Sequence, residues 1–219
     1  MLTRIFPVSD TEAACALRSS SVFLLGTDQD VVTSLALQAA VTTASEKEYV
    51  AILGNAAVKK FYRVHGMPQY EDSMVDFIRP RFFATTDSLC DYFIQFHMLP
   101  TYPDLIVLLG LEEFVKEASK STTGDQEIIR LLAFLLDVAH FASKKNGRPC
   151  RILTLYAGSE GEPGNWLHRF PSLRATRLWC ESQQQDRFTI GGYGTGRLTF
   201  CKEGNLLRLQ QGQPLGASS

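Results

Sequence analysis

Gly26 and Thr33 have the spacing of the first glycine and the last hydroxyl residue of a phosphate-binding loop. In the pattern G-x-x-x-x-G-K-[ST], glycines let backbone N–H groups approach phosphate, and the lysine reaches the outer phosphates. An apolar run ends at Gly26, a short polar loop follows, and a helix is predicted over residues 31 to 44. However, Val31 stands at the second glycine and Val32 at the lysine. The strand, loop and helix of a nucleotide site are therefore predicted without the groups that would hold phosphate.

The charges around this loop are also unfavourable for a polyphosphate. No Lys or Arg occurs between residues 19 and 46, so no local cation can replace the missing lysine. Asp28 and Asp30 lie in the loop, and two carboxylates beside a triphosphate repel it. We therefore expect no cofactor and no catalytic residue, with Gly26 and Thr33 as the remains of a cofactor-binding loop. Two alternatives stay open: ATP binds there, or Asp28 caps an ordinary helix.

Length and composition indicate a single globular domain. The chain has 219 residues, 45% of them hydrophobic, which is enough for one large core. We expect a core over about residues 20 to 160, a β-rich extension over about residues 175 to 209, and a frayed tail from 210 to 219. The five cysteines are odd in number, widely spaced and without a C-x-x-C pair, which favours an intracellular, reducing compartment.

The histidines and the apolar runs disfavour two further classes of protein. His65, His97, His140 and His168 show no ligand spacing, so no metal site is expected within this chain. No apolar run approaches the roughly eighteen residues that a membrane-spanning helix requires, so we expect no membrane association.

Strand and helix signals alternate through the first two thirds of the chain. Apolar runs that end in Gly54 and Gly110 predict buried strands of a parallel sheet, and Pro80 restricts its strand to an edge or an end. Short strands joined by tight turns follow in the last third, so antiparallel strands should be added at one side. We predict an α/β fold with three layers and a mostly parallel, twisted sheet. The predicted strands cover residues 22–25, 49–53, 76–83, 103–109, 151–156, 175–181, 187–190, 198–202 and 206–209, and the predicted helices residues 31–44, 88–98, 111–114 and 126–145.

Three segments together resemble a known family. They are Phe23-Leu24-Leu25-Gly26-Thr27, the run from Leu105 to Phe114 with its Gly-Leu-Glu-Glu-Phe step, and the Leu-Leu-Asp helix from Ile128 to Phe141. With them the chain resembles the RecA-like recombinase paralogues, and among these the Shu-complex type of animals, whose subunit associates with a SWIM-type zinc protein. The similarity runs over roughly residues 20 to 160. It implies a three-layer RecA-like P-loop fold.

The resemblance also implies a role in homologous-recombination DNA repair in the nucleus. The expected partners are a SWIM-domain zinc protein, with which the chain would form a heterodimer, recombinase filament proteins, and single-stranded DNA. The subunit would promote recombinase assembly on the single strand through protein contacts. Two alternatives stay open: a divergent P-loop ATPase completed in trans by a partner subunit, and an interaction scaffold without DNA contact.

The chain departs from the family pattern where the family binds magnesium. By the resemblance, the strand before Gly110 should end in a Walker B aspartate, but Leu109 takes its place. A leucine offers no oxygen to a hard cation. The polar sensor of the family would fall near Tyr156. Glu112 and Glu113 could serve as general bases, although two carboxylates are also what a helix dipole favours in a first turn.

Basic residues are concentrated in the last third of the chain. Residues 144–219 carry 11 basic and 5 acidic side chains, against 8 basic and 12 acidic in residues 1–110. Arginines neutralise phosphates and aromatic rings stack on bases, which is what single-strand binding needs. By the resemblance, the loop from Ala157 to Trp166 would contact DNA, although arginines on strands are also typical of an ordinary solvated face. The candidate DNA-binding residues are Arg169, Arg174, Arg177 and Arg187.

The long helix predicted over residues 126–145 has a narrow polar stripe. Arg130, Asp137 and Lys144 recur every seven residues, with His140 beside them. A helix lying on a sheet needs only about half of its circumference buried, so apolar surface is left over. Either a second helix of the same domain or a partner protein should cover it, and the excess is typical of an obligate heterodimer.

Overall fold

One ten-stranded sheet with helices on both faces is the framework of the protein. A computed structural model describes residues 4–5, 21–55, 58, 60–158, 176–184, 186–191 and 197–213. The strands are β1 (Ser21–Gly26), β2 (Val50–Gly54), β3 (Arg63–Val64), β4 (Ile78–Phe82), β5 (Leu105–Leu108), β6 (Arg151–Ala157), β7 (Thr176–Gln184), β8 (Arg187–Gly191), β9 (Arg197–Glu203) and β10 (Leu206–Gln213). The α-helices are α1 (Gln29–Ser45), α2 (Thr86–Ile94), α3 (Leu111–Ala118) and α4 (Gly124–Asn146), with 3-10 helices at Asp72–Phe77 and Phe96–Met98.

The sheet order confirms the predicted α/β architecture. The strands run in the order β3-β10-β9-β8-β7-β1-β6-β5-β2-β4. Every neighbouring pair from β7 to β4 is parallel, whereas β7, β8, β9 and β10 pair antiparallel. The short strand β3 then pairs parallel with β10. The sheet is therefore mixed and mostly parallel, with its antiparallel strands on the C-terminal side.

Side chains alternate between the two faces of the sheet and form two separate cores. Val22 and Leu24 of β1 share one buried cluster with Leu35 of α1. Phe23 and Leu25 of the same strand share the other cluster with residues of α2, α3 and α4. Helices thus cover both faces, which is consistent with a three-layer α/β fold.

Strand β1 lies inside the sheet, between β6 and β7. The chain leaves β1 through α1 and adds β2 on one side of it, whereas β7 follows β6 and lies on the other side. A reversal of this kind opens a crevice at the carboxyl ends of the strands, where open α/β sheets bind ligands. The topology therefore directs attention to the residues that follow Gly26.

The first helix begins earlier than the sequence pattern predicts. It starts at Gln29 rather than Val31, because Asp28 supplies the oxygen that caps the helix. An alignment of the chain with the P-loop pattern would instead place Gln29 and Asp30 in the loop. The two extra residues shorten the connection after β1 to Thr27 and Asp28.

Two other segments also differ from the predictions. The connection between the predicted strands over residues 49–53 and 76–83, for which no element is predicted, contains the short strand β3. Strand β10 continues to Gln213, past residue 210, where the frayed tail is predicted to begin, and residues 214–219 lie outside the described residues. The prediction that Pro80 restricts its strand to an edge is confirmed, since β4 is an edge strand.

The long helix α4 leaves less apolar surface free than its sequence indicates. Helices α2 and α3 both pack against it. Its additional apolar side chains are partly buried against the same core, as the intramolecular alternative predicts. Neither α4 nor any other described helix combines the length and the apolar character of a membrane span. The partly buried apolar side chains of α4 are Ile129, Phe134, Leu136 and Phe141. The exposed large hydrophobic side chains of the described residues lie elsewhere, at Val58, Phe61, Tyr70, Val75, Phe82, Ile94 and Met98.

Candidate functional site

The crevice beyond the carboxyl ends of β1, β5 and β6 is where a ligand of this architecture would lie. Gly26 ends β1, Gly110 follows β5, and Ala157 ends β6. Gly110 adopts a left-handed φ of 69°, and a Cβ added there would lie 3.1 Å from the Asn55 Oδ1 atom. This turn brings the start of α3 to the same edge of the sheet as the start of α1.

Asp28 closes the amino-terminal end of α1 with its own oxygen atoms. Its Oδ1 atom accepts a hydrogen bond from the Val31 N–H at 3.0 Å, and its carbonyl oxygen accepts one from the Val32 N–H at 3.0 Å. Backbone N–H groups at a helix start are the groups that bind phosphate in other proteins. The Asp28 carboxylate thus takes up one of the N–H groups that an anion at this helix start would contact.

The space next to Gly26 is filled by the protein itself. A Cβ added to Gly26 would lie 2.6 Å from Val32 Cγ1 and 2.9 Å from the Cys180 carbonyl oxygen. Carbon atoms do not approach other heavy atoms this closely without strain, so α1 and β7 pack against β1 more closely than a residue with a Cβ at position 26 would allow. Gly26 therefore has a packing role that does not involve phosphate.

Three aliphatic residues stand where the resemblance places the second glycine, the lysine and the Walker B aspartate. Val31, Val32 and Leu109 are 0%, 1% and 5% exposed, respectively. All three belong to the buried cluster between α1 and the sheet. Thr33, at the hydroxyl position of the pattern, is half-buried on α1. The corner, which is formed by the end of β1, the start of α1 and the end of β5, is thus stabilised by apolar burial. The three residues that depart from the pattern belong to the same packed cluster.

Glu112 connects this corner to the opposite face of the sheet. The residue is 5% exposed; its Oε2 atom accepts a hydrogen bond from the Ala157 N–H at 3.0 Å, and its Oε1 atom accepts one from Gln29 Nε2 at 3.3 Å. Burial raises the pKa of Glu112, and the Ala157 N–H opposes that rise. Glu113 instead pairs with Lys116, at 2.6 Å. Within the described parts of the chain, no three His, Cys, Asp or Glu side chains are grouped as metal ligands.

The charges of Asp28, Glu181 and Lys202, near the corner, are negative or already have partners. Burial raises the pKa of the Cys180 thiol to about 12, and the nearby carboxylates of Asp28 and Glu181 add to the rise. Lys202 brings a positive charge close to Asp28, but its ammonium lies 4.8 Å from the centre of the Tyr62 ring. Hydrogen bonding to Tyr62 raises the pKa of Lys202, and Asp28 contributes in the same direction. A triphosphate would therefore meet carboxylates and a lysine that already has partners.

Tyr62 joins two lysines beside α1, a cluster that the sequence analysis missed. The residue is 1% exposed, and its N–H donates to Ser34 Oγ on α1 at 2.8 Å. The ammonium of Lys60 lies 5.0 Å from the ring centre. Hydrogen bonding with Lys60 lowers the pKa of Tyr62, and Lys202 acts in the same direction. Lys60 and Tyr62 are two residues apart, but no local pattern could have found the whole cluster, because Ser34 and Lys202 are far from them in the chain.

The structure describes two of the four candidate DNA-binding arginines. Arg169 and Arg174 lie outside the described residues. Arg177 lies near the start of β7, and Arg187 starts β8 opposite Gln184. The seven positions from Arg177 to Gln184 span about 23 Å at the usual rise of a strand. The two described arginines thus lie at opposite ends of the hairpin and do not form one cluster.

Other basic residues of the last third are held in ion pairs within the protein. Arg148 donates to the two carboxylate oxygens of Asp104 at 2.6 and 2.7 Å, and Asp104 is 1% exposed. Arg151 pairs with Glu48. These arginines neutralise internal carboxylates, so the basic excess in the sequence overstates the charge available to a polyanion.

Comparison with known proteins gives no family assignment. No protein-family model matches the sequence, and no curated protein matches it at a significant level. The function is therefore inferred from the residues and the geometry of the chain itself.

Proposed function

We propose that this chain is a non-catalytic recombinase-paralogue subunit of a Shu-type complex in homologous-recombination DNA repair. Its role is to promote recombinase assembly on single-stranded DNA, through contacts with a SWIM-domain zinc protein and with recombinase filament proteins. The proposal joins the resemblance of three sequence segments to the geometry of the corner beyond β1.

The packing of that corner is the observation that supports a non-catalytic role. Transfer of a phosphoryl group relies on a lysine that holds the phosphates and on oxygen ligands that hold magnesium. Val32 and Leu109 stand at those positions and are buried in one apolar cluster. Asp28 already accepts hydrogen bonds from the two amides at the helix start. A subunit built this way acts through its surfaces rather than through chemistry at this corner.

Contact with single-stranded DNA is proposed from the resemblance and from the position of Arg187. This residue is exposed at the start of β8. A contact made by such arginines is electrostatic, so it should weaken steeply as the salt concentration rises. An interaction scaffold without DNA contact is the alternative that the same experiment separates.

Co-expression with a SWIM-domain zinc protein of the same organism tests the proposal. We expect the two chains to co-purify as a heterodimer that binds labelled oligo-dT in a salt-dependent manner and shows no ATP turnover above a protein-free control. Arg187→Glu should weaken the oligo-dT complex. Lys120→Glu makes the same change of charge at an exposed position after α3 and serves as the matched control.

Three results would count against parts of the proposal. Failure of the two chains to associate would remove the Shu-type assignment. ATP turnover that Thr33→Ala abolishes would indicate instead a P-loop ATPase completed in trans. Absence of oligo-dT binding by a well-formed heterodimer would leave the scaffold alternative as the function.

A further inference from the structure

The edge strand β4 carries two exposed arginines on one face. Arg79 and Arg81 alternate with Ile78, Pro80 and Phe82 along the strand, so both arginine side chains lie on the same side of the sheet. That side is the one covered by α2, since the half-buried Phe83 packs with Tyr92 there.

Both guanidinium groups are held in place by tyrosine rings. The Arg79 guanidinium lies 5.2 Å from the centre of the Tyr49 ring, and the Arg81 guanidinium lies 5.3 Å from the centre of the Tyr92 ring. Arg79 also donates from Nη1 to Thr101 Oγ1 at 2.9 Å. A cation–π contact of this kind restrains a guanidinium and leaves its outward N–H groups available to a ligand.

Neither arginine is neutralised within the described residues. The described ion pairs of the other arginines include Arg130 with Asp87 and Arg148 with Asp104, but none includes Arg79 or Arg81. Two fixed guanidinium groups without a carboxylate partner form a preorganised site for an anionic ligand, because little side-chain entropy is lost on binding.

The spacing of the two arginines fits an extended peptide. The Cα atoms of residues two apart on a strand are separated by about 6.6 Å, and an extended peptide carries side chains at alternate positions with the same backbone repeat. A shallow depression of about 30 Å³ lies between them, lined by Val50, Leu99 and Pro103 among others. It offers a small apolar contact beside the two charges.

Backbone pairing at this edge is restricted by Pro80. The Phe83 N–H donates to the Gly54 carbonyl on β2, so by alternation the N–H groups of Arg79 and Arg81 also point to β2, and Pro80 faces outward. Proline has no N–H, which removes the central donor of the open edge. A ligand is therefore recognised through side chains rather than as an added strand.

The surroundings favour a short acidic peptide over a nucleic acid. The faces of Tyr49 and Tyr92 that could stack on bases are already covered by the arginines. The exposed Phe82 lies on the opposite side of the strand. Residues 1–110 also carry more acidic than basic side chains, 12 against 8, which disfavours a long polyanion but not a segment with two carboxylates.

We propose that Arg79 and Arg81 form a docking site for a short acidic segment of a partner protein, bound in an extended conformation with carboxylates at alternate positions. The site lies at the far edge of the sheet from the antiparallel strands that carry Arg187. It does not depend on the role in recombination, because it rests on the arginines and the tyrosines alone.

Fluorescence anisotropy with a labelled synthetic peptide tests this site on the full chain. The probe is a peptide of about twelve residues with glutamates at alternate positions and serine or valine between them. We expect it to bind at low salt, and we expect Arg79→Gln with Arg81→Gln to weaken binding by at least about ten-fold. The Arg79→Lys and Arg81→Lys pair should weaken it by about three-fold, because lysine keeps the charge but loses the planar fork.

Matched controls separate this site from general charge attraction. Arg63→Gln with Arg208→Gln removes two exposed arginines elsewhere and should leave peptide affinity unchanged. Melting curves verify the fold of every variant. A probe with glutamine in place of glutamate should not bind. The proposal is overturned if the wild-type chain does not bind the acidic probe, or if both arginine pairs matter equally. It is also overturned if oligo-dT binds here and is lost with the Arg79 and Arg81 changes, which would assign the surface to nucleic acid.

Discussion

The Oδ1 atom of Asp28 lies 3.0 Å from the backbone nitrogen of Val31, and the N–H of Val31 donates to it. The Asp28 carbonyl oxygen takes the next amide, that of Val32, at 3.0 Å. A helix start normally attracts anions because its N–H groups are unpaired. Here Asp28 caps one of these groups, the N–H of Val31, so a carboxylate of the chain itself lies where an anion would approach and stabilises α1.

Loss of the Asp28 side chain should destabilise the fold. Asp28→Ala removes the N-cap of α1, and the free energy of unfolding should fall by about 1 kcal/mol. Asp30→Ala is the control, because Asp30 lies in the first turn, where its carboxylate interacts with the helix dipole, a contribution of about 0.3 kcal/mol. Urea denaturation of both variants measures the difference. Equal losses would show that Asp28 does not act as a cap.

A methyl group at Gly26 should strain the packing between β1, α1 and β7. Gly26→Ala places a Cβ 2.6 Å from Val32 Cγ1, and we expect a loss of about 2 kcal/mol in the free energy of unfolding. Val32→Ala should relieve part of the strain, so the double variant should be about 1 kcal/mol more stable than the sum of the two single-variant losses predicts. Gly147→Ala meets no atom within 4 Å and should show no coupling to Val32. Strict additivity of Gly26→Ala with Val32→Ala would contradict the contact.

Glu112 should make stability depend on pH. Burial raises its pKa above the ordinary value of 4.5, so the folded chain holds this proton more tightly than the unfolded chain does. Its contribution to stability is therefore largest below about pH 4.5 and falls as the pH rises through the raised pKa. Glu112→Gln keeps an acceptor for the Ala157 N–H and removes the titration.

Chemical denaturation between pH 4 and pH 8 measures this effect. The stability of Glu112→Gln relative to the unmodified protein should improve as the pH rises. Glu113→Gln is the matched control, since the Glu113 side chain is 43% exposed rather than buried. If the free energy of unfolding of Glu112→Gln runs parallel to that of the unmodified protein at every pH, Glu112 does not titrate as a buried carboxylate and the prediction is wrong.

Arg148 should matter for stability and not for DNA binding. Arg148→Ala leaves the buried Asp104 carboxylate without its described cation and with hydrogen bonds from the Tyr49 N–H and Asn146 Nδ2, so we expect a loss of about 2 kcal/mol in the free energy of unfolding. Asp104→Asn in the same background should restore part of it, because no buried charge remains. The oligo-dT affinity of the heterodimer should be unchanged by Arg148→Ala. A loss of affinity as large as that of Arg187→Glu would contradict the structural role.

The order of strands and helices could be predicted because each element has a local signal. The apolar run from Leu105 to Leu108 ends before Gly110, and α4 ends where Gly147 adopts a left-handed φ of 67°. The sequence also carries the capping signal of Asp28, but the P-loop pattern over the same residues predicts a later helix start. The pattern places Gln29 and Asp30 in a loop, whereas the cap makes them the first turn of α1.

The contacts between distant residues could not be predicted. Arg148 and Asp104 are 44 positions apart, and nothing in the sequence near Arg148 distinguishes it from a surface arginine that binds DNA. Lys202 and Tyr62 meet only because β10 pairs with both β9 and β3. Pairing of this kind depends on strand order, which apolar runs specify only in outline.

Isothermal titration of MgATP into the purified chain, and into its complex with the SWIM-domain protein, tests the closed corner most directly. Because Asp28 already engages the amides of Val31 and Val32 and carboxylates surround the site, we predict no saturable binding up to about 1 mM nucleotide. Saturable binding with a micromolar Kd that Thr33→Ala abolishes would contradict the account, since it would require this corner to open and accept phosphate.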